Sequence, residues 1–476
     1  MPRRVRSGTI SVLLVGAILA ASFPAAAAEG APHIQAAGLS LIWVLPFAGI
    51  LLSIALMPLT VPQFWHHHYG KVAAFWALAF VLPCLASFGL SVTLYEVLHT
   101  ALLEYIPFII LLLALFTVAG GVHLKGDLAG TPGLNTAMLA LGTGLASIMG
   151  TTGASMLLIR PILRANAHRR SRVHVVVFFI FLVSNIGGSL TPLGDPPLFL
   201  GFLKGIDFMW TVKAMAGPML LCTIALLVIF FILDNYFWLR EGRPLAQPTG
   251  RPFEIEGHVN FVLLGIILGA VLLSGVWRPD LGITIFHVRV EAQSIVRDLI
   301  LLACAWMSWL WTAKASREDN GFTWGPILEV AKLFAGIFLT IVPAIAILRA
   351  GREGALGGVV ALVTDGAGQP VNMMYFWLTG ILSSFLDNAP TYLVFFNTAG
   401  GDPQVLMTSL HTTLLAISCG AVFMGANTYI GNAPNFMVKA IAEENGVRMP
   451  SFFGYMGWST LFLIPIFFLV TLVYFR

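Results

Sequence analysis

Residues 184–197 read SNIGGSLTPLGDPP, and the overlapping TPLGDPPLF of residues 191–199 recurs as TYIGNAPNF at residues 428–436. The two nine-residue stretches share the pattern T-x-x-G-[DN]-x-P-x-F at an offset of 237 residues (428 − 191 = 237). The same offset aligns two more separated features, Ser147 with Ser384 and Gly120-Gly121 with Gly357-Gly358. Three separated matches at one offset indicate that the chain contains two copies of one structural unit.

The composition sets the class of protein. The 476 residues include 26 Lys and Arg and 22 Asp and Glu, so charged residues make up 10% and hydrophobic residues 58%. An ordinary soluble chain carries about 25% charged residues. The low fraction of charged residues and the high fraction of hydrophobic residues exclude a soluble enzyme, a disordered protein and a nucleic-acid binder. Because the apolar runs reach about 20 residues and do not alternate, they predict an all-α, polytopic membrane protein.

The chain divides into four parts. Residues 1–28 combine a basic start, an apolar stretch and an A-x-A ending at Ala28, which is the pattern of a signal peptide. The N-terminal transmembrane half with the first repeat is expected at 29–238. A hydrophilic stretch at 239–258 is expected to be a cytoplasmic linker, and residues 259–476 are expected to form the C-terminal half with the second repeat.

Lys and Arg residues indicate the orientation of the spans. The densest basic loop, at 164–172, contains Arg164, Arg169, Arg170 and Arg172 and is assigned to the cytoplasm. Two Gly- or Pro-rich apolar regions, at 136–163 and 371–400, are each expected to enter and leave the membrane on one side. Five spans are expected between these re-entrant hairpins, and an odd number inverts the second repeat relative to the first. We expect the other membrane-spanning stretches at 39–60, 72–99, 103–120, 174–203, 210–238, 259–276, 297–313, 326–348, 408–444 and 452–475, of which 174–203 and 408–444 contain interruptions.

The segments where apolar runs are interrupted carry the candidate site. Non-helical backbone at membrane depth is tolerated only where it is buried in protein or lines an aqueous cavity. Asp195 and Asp387 are the only acidic residues in these segments, and an intramembrane acid indicates a functional site by default. Each could instead cap the helix that follows it. Hydroxyl and amide oxygens nearby are suited to Na⁺ or to polar substrate groups, or they satisfy the broken backbone.

The predicted ion- or substrate-binding residues are the two acids, as Na⁺ candidates, and eight amides and hydroxyls: Asp195, Asp387, Asn185, Asn388, Asn427, Asn432, Thr152, Thr191, Thr391 and Thr428. Inverted repeats with interrupted helices mark a secondary transporter whose site lies near the membrane midplane. No cofactor is expected beyond Na⁺ or H⁺ as the transported or coupling ion.

SNIGGSLTPLGDPP and LSSFLDNAPT (382–391) resemble the signature segments of the ion transporter superfamily. That group includes arsenite-efflux and NhaD-type sodium:proton antiporters, citrate carriers and sodium–dicarboxylate symporters. The resemblance covers most of residues 39–476 and implies two inverted repeats, each with a re-entrant hairpin and a broken helix, in a homodimer of the bacterial inner membrane. The dicarboxylate branch carries Ser-Asn-Thr at both hairpin tips, whereas this chain has Thr-Thr-Gly (151–153) and Asp-Asn-Ala-Pro-Thr (387–391).

Two functions follow from these observations. The first is sodium:proton antiport, in which Asp195 and Asp387 bind Na⁺ or H⁺ and Asn and Thr oxygens complete the site. The alternative is a citrate or dicarboxylate carrier coupled to cations, for which the site segments offer no Lys or Arg and Arg160 lies only at the cytoplasmic end of the hairpin. The expected partners are the lipid bilayer and a small cation or carboxylate, with no nucleic acid. A membrane enzyme or channel is a third class, and no HExxH, GxSxG or Walker pattern supports it.

Overall fold

The fold was described from a computed structural model, which covers residues 32–34, 39–126, 128–244 and 254–476. The signal peptide predicted at 1–28 and part of the predicted linker lie outside these described residues. The helices of the N-terminal half are α1 (Leu45–Thr60), α2 (Pro62–Thr100), α3 (Ile106–Ala119), α4 (Pro132–Met149), α5 (Thr151–Ala165), α6 (Val173–Leu182), α7 (Pro196–Leu203) and α8 (Phe208–Arg240).

The C-terminal half contains eleven α-helices among the described residues. Its helices are α9 (Val259–Val276), α10 (Ala292–Trp311), α11 (Lys314–Asp319), α12 (Gly325–Arg349), α13 (Gly357–Leu362), α14 (Asn372–Phe385), α15 (Asn388–Thr398), α16 (Pro403–Met407), α17 (His411–Met424), α18 (Ala433–Glu444) and α19 (Phe452–Tyr474). Within the described ranges, seven continuous helical segments are long and apolar enough to cross a membrane. The prediction of a mostly helical, polytopic membrane protein is therefore confirmed.

Two small antiparallel sheets lie between the helices, which the prediction of an all-α chain did not include. Strand β1 (His123–Lys125) pairs with β2 (Glu254–Glu256), and β3 (Gly282–Ile285) pairs with β4 (Val288–Glu291). The β1–β2 pair joins the loop after α3 to the end of the predicted linker. These two connections therefore lie on the same side of the molecule.

The first long helical stretch breaks at a different place from the prediction. The expected boundary between two spans was near residues 99–103, but the chain continues from α2 into α3 through a π-helical turn at Ala101–Tyr105. The break occurs instead at Gly89, whose φ of 78° and ψ of 175° are not helical. Only glycine adopts this backbone conformation readily. An apolar pattern alone does not locate such a break.

The helices around the candidate site repeat at the offset of 237 residues. Helix α5 begins at Thr151 and α15 at Asn388, and α7 begins at Pro196 and α18 at Ala433. Helices α4 and α5 pack against each other, as do α14 and α15. Each broken helix also contacts the hairpin of the other half, because α7 packs on α15 and α18 packs on α5. This cross-packing brings the interrupted segments of both halves together.

The two hairpins change direction by different means. In the first half the chain turns at Gly150, with a φ of 81° and a ψ of 150°, conditions that favour glycine. In the second half the corresponding position is Asp387, with a φ of −55°, after the extended Leu386. Asp387 accepts a hydrogen bond from the Ala389 N–H at 3.1 Å and so caps α15.

The largest hydrophobic core among the described residues includes buried residues from both halves. It contains Phe178 and Leu182 of α6, Leu393 of α15 and Phe423 of α17, all buried. Helix α8 begins after Asp207, whose side chain accepts a hydrogen bond from the Trp210 N–H at 2.9 Å. The two halves therefore share this core, and the boundaries predicted at 238 and 259 lie near the end of α8 and at the start of α9.

Candidate functional site

The interrupted segments of the two halves make equivalent hydrogen bonds. The Thr191 hydroxyl donates to the backbone carbonyl of Ser147, and the Thr428 hydroxyl donates to that of Ser384 at 2.5 Å. The Ser147 and Ser384 hydroxyls donate in turn to backbone carbonyls that are also 237 residues apart, those of Gly187 and Met424. Thr191 and Thr428 therefore stabilise the broken backbone of their own halves.

Glycine is required where the broken helix doubles back on itself. A Cβ atom at Gly194 would lie 2.1 Å from the carbonyl oxygen of Gly188. A Cβ atom at Gly431 would lie 2.5 Å from the carbonyl oxygen of Gly425, at the same offset. No side chain fits at these distances, so the glycine of the G-[DN]-x-P pattern is a steric requirement of this turn. The turn places residues 195 and 432 at the starts of α7 and α18.

Asp195 lies at the centre of the site, with only 2% of its surface exposed. Its Oδ1 accepts hydrogen bonds from the Thr151 hydroxyl at 3.0 Å and from Asn432 Nδ2 at 3.2 Å. Its Oδ2 accepts from Asn388 Nδ2 at 2.5 Å. All three donors are buried and uncharged, and Asp195 makes no side-chain cap of α7. The carboxylate is held by donors from both hairpins.

These four residues are related in pairs by the internal repeat. Asp195 corresponds to Asn432, and Thr151 corresponds to Asn388, at the offset of 237. The Asp195–Asn432 contact joins equivalent positions of the two halves. The contacts from Thr151 and Asn388 join the tips of the two hairpins to the same carboxylate. The Asp195 carboxylate therefore lies where equivalent segments of the two sequence repeats meet.

Further amides connect the two halves next to Asp195. Asn185 Nδ2 donates to Asn435 Oδ1 at 2.7 Å, and Asn432 Nδ2 lies 3.3 Å from Asn185 Oδ1. Asn435 Nδ2 then donates to the backbone carbonyls of Gly425 and Thr428, both at 2.9 Å. The backbone carbonyls released by the break in α17 are thus satisfied by an amide. The same amide positions Asn185.

The other predicted site residues lie around this centre. Asp387 is half-buried and caps α15, and the Thr391 hydroxyl donates to the Asp387 carbonyl at 3.0 Å within the same helix. Thr152 is half-buried next to Thr151. Asn427 donates to the Ser384 hydroxyl at 2.9 Å. Of the ten predicted residues, the structure therefore gathers Asp195, Asn185, Asn388 and Asn432 into one network.

Two members of this network, Thr151 and Asn435, were not predicted as site residues. The repeat contained a signal for Thr151, because Thr151 aligns with Asn388 and its neighbour Thr152 does not. For Asn435 the repeat gave no help, since the aligned residue is Leu198.

Two buried carbonyl oxygens of the site lack a partner. Asn388 Oδ1 and Asn427 Oδ1 accept no hydrogen bond from any residue in the described part of the chain. A buried acceptor without a donor is unfavourable by about 1–3 kcal/mol. A cation satisfies such an oxygen, because carboxylate and amide oxygens are the usual ligands of hard cations. Asn388 presents its amide nitrogen to Asp195 and therefore has its oxygen free beside the carboxylate.

Comparison with known proteins agrees with this architecture. Residues 36–475 match a family model described as "Putative citrate transport". The chain belongs to this family. Uncharacterized transporters of Mycobacterium bovis and Mycobacterium tuberculosis are each 25% identical to it over 325 residues, which cover 65% of this chain and 69% of theirs. The resemblance to citrate carriers within the ion transporter superfamily is confirmed, and the chain is a membrane transporter.

Since this citrate transport family is named for an anion, the positions of basic groups are relevant. Arg278, Arg289 and Arg297 line a cavity of about 530 Å³ at the end of α7 that is opposite to Asp195. Arg289 is paired with Asp280 at 2.7 Å, and Arg297 Nε with Asp298 at 2.8 Å. The buried Arg297 Nη2 has no hydrogen-bond partner among the described residues.

Proposed function

We propose that this transporter exchanges Na⁺ for H⁺ and that Asp195 is the group that holds either ion. The observation that carries the proposal is the buried Asp195 carboxylate, contacted by Thr151, Asn388 and Asn432 from both repeats. A charged group at membrane depth costs at least about 2.5–3.5 kcal/mol, and neutralisation by Na⁺ or by H⁺ removes much of that cost. Competition between the two ions for one carboxylate gives antiport.

The proposed Na⁺ site combines the Asp195 carboxylate with the free amide oxygens of Asn388 and Asn427. In this proposal Asp387 caps α15 and contributes negative charge near the site without being the coupling group. Oxygen ligands of this type suit a small hard cation directly. Thr191, Thr391, Thr428 and Asn185 would hold the broken segments in place, and Thr152 would lie at the rim.

We further propose that the two repeats, 29–238 and 259–476, are inverted relative to each other and that α4–α5 and α14–α15 are re-entrant hairpins. The recurrence of the Thr191–Ser147 and Thr428–Ser384 hydrogen bonds supports the repeat. Because donors from both hairpins reach Asp195, movement of one hairpin would open the site to one side of the membrane. We place the protein in a bacterial inner membrane, as a homodimer.

A second candidate is transport of citrate or a dicarboxylate coupled to cations. The family description favours it, and Arg278 and Arg297 line a cavity in which Asp280 and Glu291 already pair with Arg289. Arginine pairs with carboxylates through two parallel hydrogen bonds, and the unpartnered Arg297 Nη2 is a suitable donor. The cavity would collect the anion before it reaches the site near Asp195.

One experiment separates the two functions. Everted membrane vesicles that carry the protein are energised to form a pH gradient, and Na⁺, Li⁺, K⁺ and citrate are added in turn. For antiport, we expect Na⁺ or Li⁺ to collapse the gradient and citrate alone to have no effect. Robust uptake of labelled citrate, retained in Asp195→Asn, would overturn the antiport proposal in favour of the carrier.

A further inference from the structure

A cluster of one histidine and two carboxylates lies far from Asp195, beside the β1–β2 sheet. His123 Nδ1 lies 3.7 Å from Glu256 Oε2 and 4.0 Å from Asp319 Oδ2. The three residues come from β1, β2 and α11, and one ligand atom of each lies within 4.8 Å of the others. The cluster therefore joins three connections that are far apart in sequence.

The His123 side chain is the unusual member of this cluster. It is 6% exposed, and both of its ring nitrogens lack a hydrogen-bond partner in the part of the chain that the structure describes. A buried polar group without a partner costs about 1–3 kcal/mol. The ring therefore points a free nitrogen at two carboxylates without forming a hydrogen bond to either.

Lys125 is the residue that occupies the space between the two carboxylates. Its Nζ lies 2.8 Å from Glu256 Oε1 and 3.4 Å from Asp319 Oδ2. The lysine is 37% exposed, so its long side chain can turn towards solvent without losing buried contacts. The other Glu256 oxygen accepts a hydrogen bond from the Ser316 hydroxyl at 2.8 Å, which orients the carboxylate towards His123.

We propose that His123, Glu256 and Asp319 bind one first-row divalent cation, such as Zn²⁺, with Lys125 as the competing cation of the metal-free state. One imidazole nitrogen and two carboxylate oxygens are ligands that Zn²⁺ accepts, with bonds of about 2.0–2.2 Å. Tetrahedral geometry with such bonds separates ligand atoms by about 3.4 Å. The distances from His123 Nδ1 to the Glu256 and Asp319 oxygens would therefore shorten by only a few tenths of an ångström.

Metal binding at this site would fix the connection between the first hairpin and the linker. Arg164, at the end of α5, donates to the Leu124 carbonyl of β1 at 2.7 Å. A metal bound to His123 would thus hold the strand that supports the end of this hairpin. The site is separate from the proposed transport site and does not depend on which ion or anion the protein transports.

The test measures Zn²⁺ binding to the purified full-length chain in detergent, prepared with a tag that contains no histidine. A competing chromophoric chelator reports the affinity. The parent protein carries His66→Ala, His67→Ala and His68→Ala, because these consecutive histidines at the start of α2 can bind Zn²⁺ themselves. We expect this parent to bind one Zn²⁺ per chain. Asp319→Asn and His123→Gln are expected to weaken binding by about tenfold or more.

Three further variants make the test decisive. Glu318→Gln is the matched control, since Glu318 pairs with Lys314 at 3.2 Å outside the cluster, and it should leave the affinity unchanged. Lys125→Met should bind Zn²⁺ more tightly, and Asp195→Asn should bind it as the parent does. The proposal is overturned if the parent binds no Zn²⁺, or if Asp319→Asn binds it as tightly as Glu318→Gln. Because Asp319 is half-exposed, this variant gives an answer even if His123→Gln does not fold.

Discussion

Exchanging the acid and the amide at the equivalent positions of the two repeats tests the proposed coupling site most directly. Asp195 Oδ1 lies 3.2 Å from Asn432 Nδ2, so the double variant Asp195→Asn/Asn432→Asp moves the carboxylate by about one hydrogen-bond length. It keeps the charge of the site and the number of amides. The double variant therefore shows whether the site requires Asp at residue 195 or only a carboxylate at this place.

The hydrogen bonds of Asp195 give the expected magnitudes. In Asp195→Asn alone, three donors (Thr151, Asn388 and Asn432) face a side chain that retains one acceptor oxygen. At least one buried donor loses its partner, so we expect a loss of about 1–3 kcal/mol in the free energy of unfolding. The double variant restores a carboxylate–amide pair between the same two positions and should recover most of that loss.

The assay combines thermal unfolding in detergent with Na⁺-driven proton release in everted vesicles at matched protein levels. Asp195→Asn should be folded but inactive, and the double variant should regain stability and part of the exchange. Asn432→Asp alone is the control for charge, because it places two carboxylates within hydrogen-bond distance and forces one of them to take up a proton. Wild-type exchange in Asp195→Asn would refute the assignment of Asp195 as the coupling group.

Three other predictions concern the cap of α15, a buried ion pair and the sides of the membrane on which two loops lie. Asp387→Asn should keep the cap of α15 and proton-coupled exchange but require more Na⁺ for a half-maximal rate. Asp387→Ala should lose about 1 kcal/mol of stability because the cap is removed. Complete loss of exchange in Asp387→Asn would show that Asp387 is a coupling group too. Asp234→Ala should destabilise the protein by about 3–5 kcal/mol in thermal unfolding, because Arg169 Nη2 lies 2.5 Å from Asp234 Oδ1 with both side chains fully buried; a change below 1 kcal/mol would contradict this. Single cysteines at Arg170 and Glu353 should be labelled from opposite sides of the membrane, and the four buried native cysteines keep the background low; labelling of both from one side would remove the inverted arrangement.

The repeat made much of the site predictable from the sequence. A shared T-x-x-G-[DN]-x-P-x-F pattern located the breaks before α7 and α18, because its glycine meets a steric requirement of the turn and its proline lies in the first turn of the helix that follows. Long apolar runs also gave good bounds for isolated spans, and the span expected at 259–276 coincides with α9. Apolar periodicity and composition are properties of short stretches of sequence. They therefore predict the ends of spans and the positions of helix breaks, which depend on the local sequence.

Contacts between distant residues were not predictable in this way. Arg169 was assigned to a cytoplasmic loop by its charge, yet it is buried, and so is Arg317. Arg169 pairs with Asp234 in α8, and Arg317 donates to the backbone carbonyl of Thr117 at 2.7 Å, 200 residues away. A count of charges gives the side of the membrane on which a loop lies. It contains no information on which buried partner neutralises each charge.

The single acid among four related positions explains how two similar halves could act on one ion. If residue 432 were also an acid, two carboxylates about 3 Å apart could not both ionise, and one would hold a proton permanently. With Asn432 in that place, the Asp195 carboxylate receives donors from its own repeat through Thr151 and from the other repeat through Asn388. In the proposed exchange, either hairpin would withdraw while the other still holds the carboxylate. In the proposed exchange, this arrangement would let one group meet Na⁺ from one side of the membrane and H⁺ from the other.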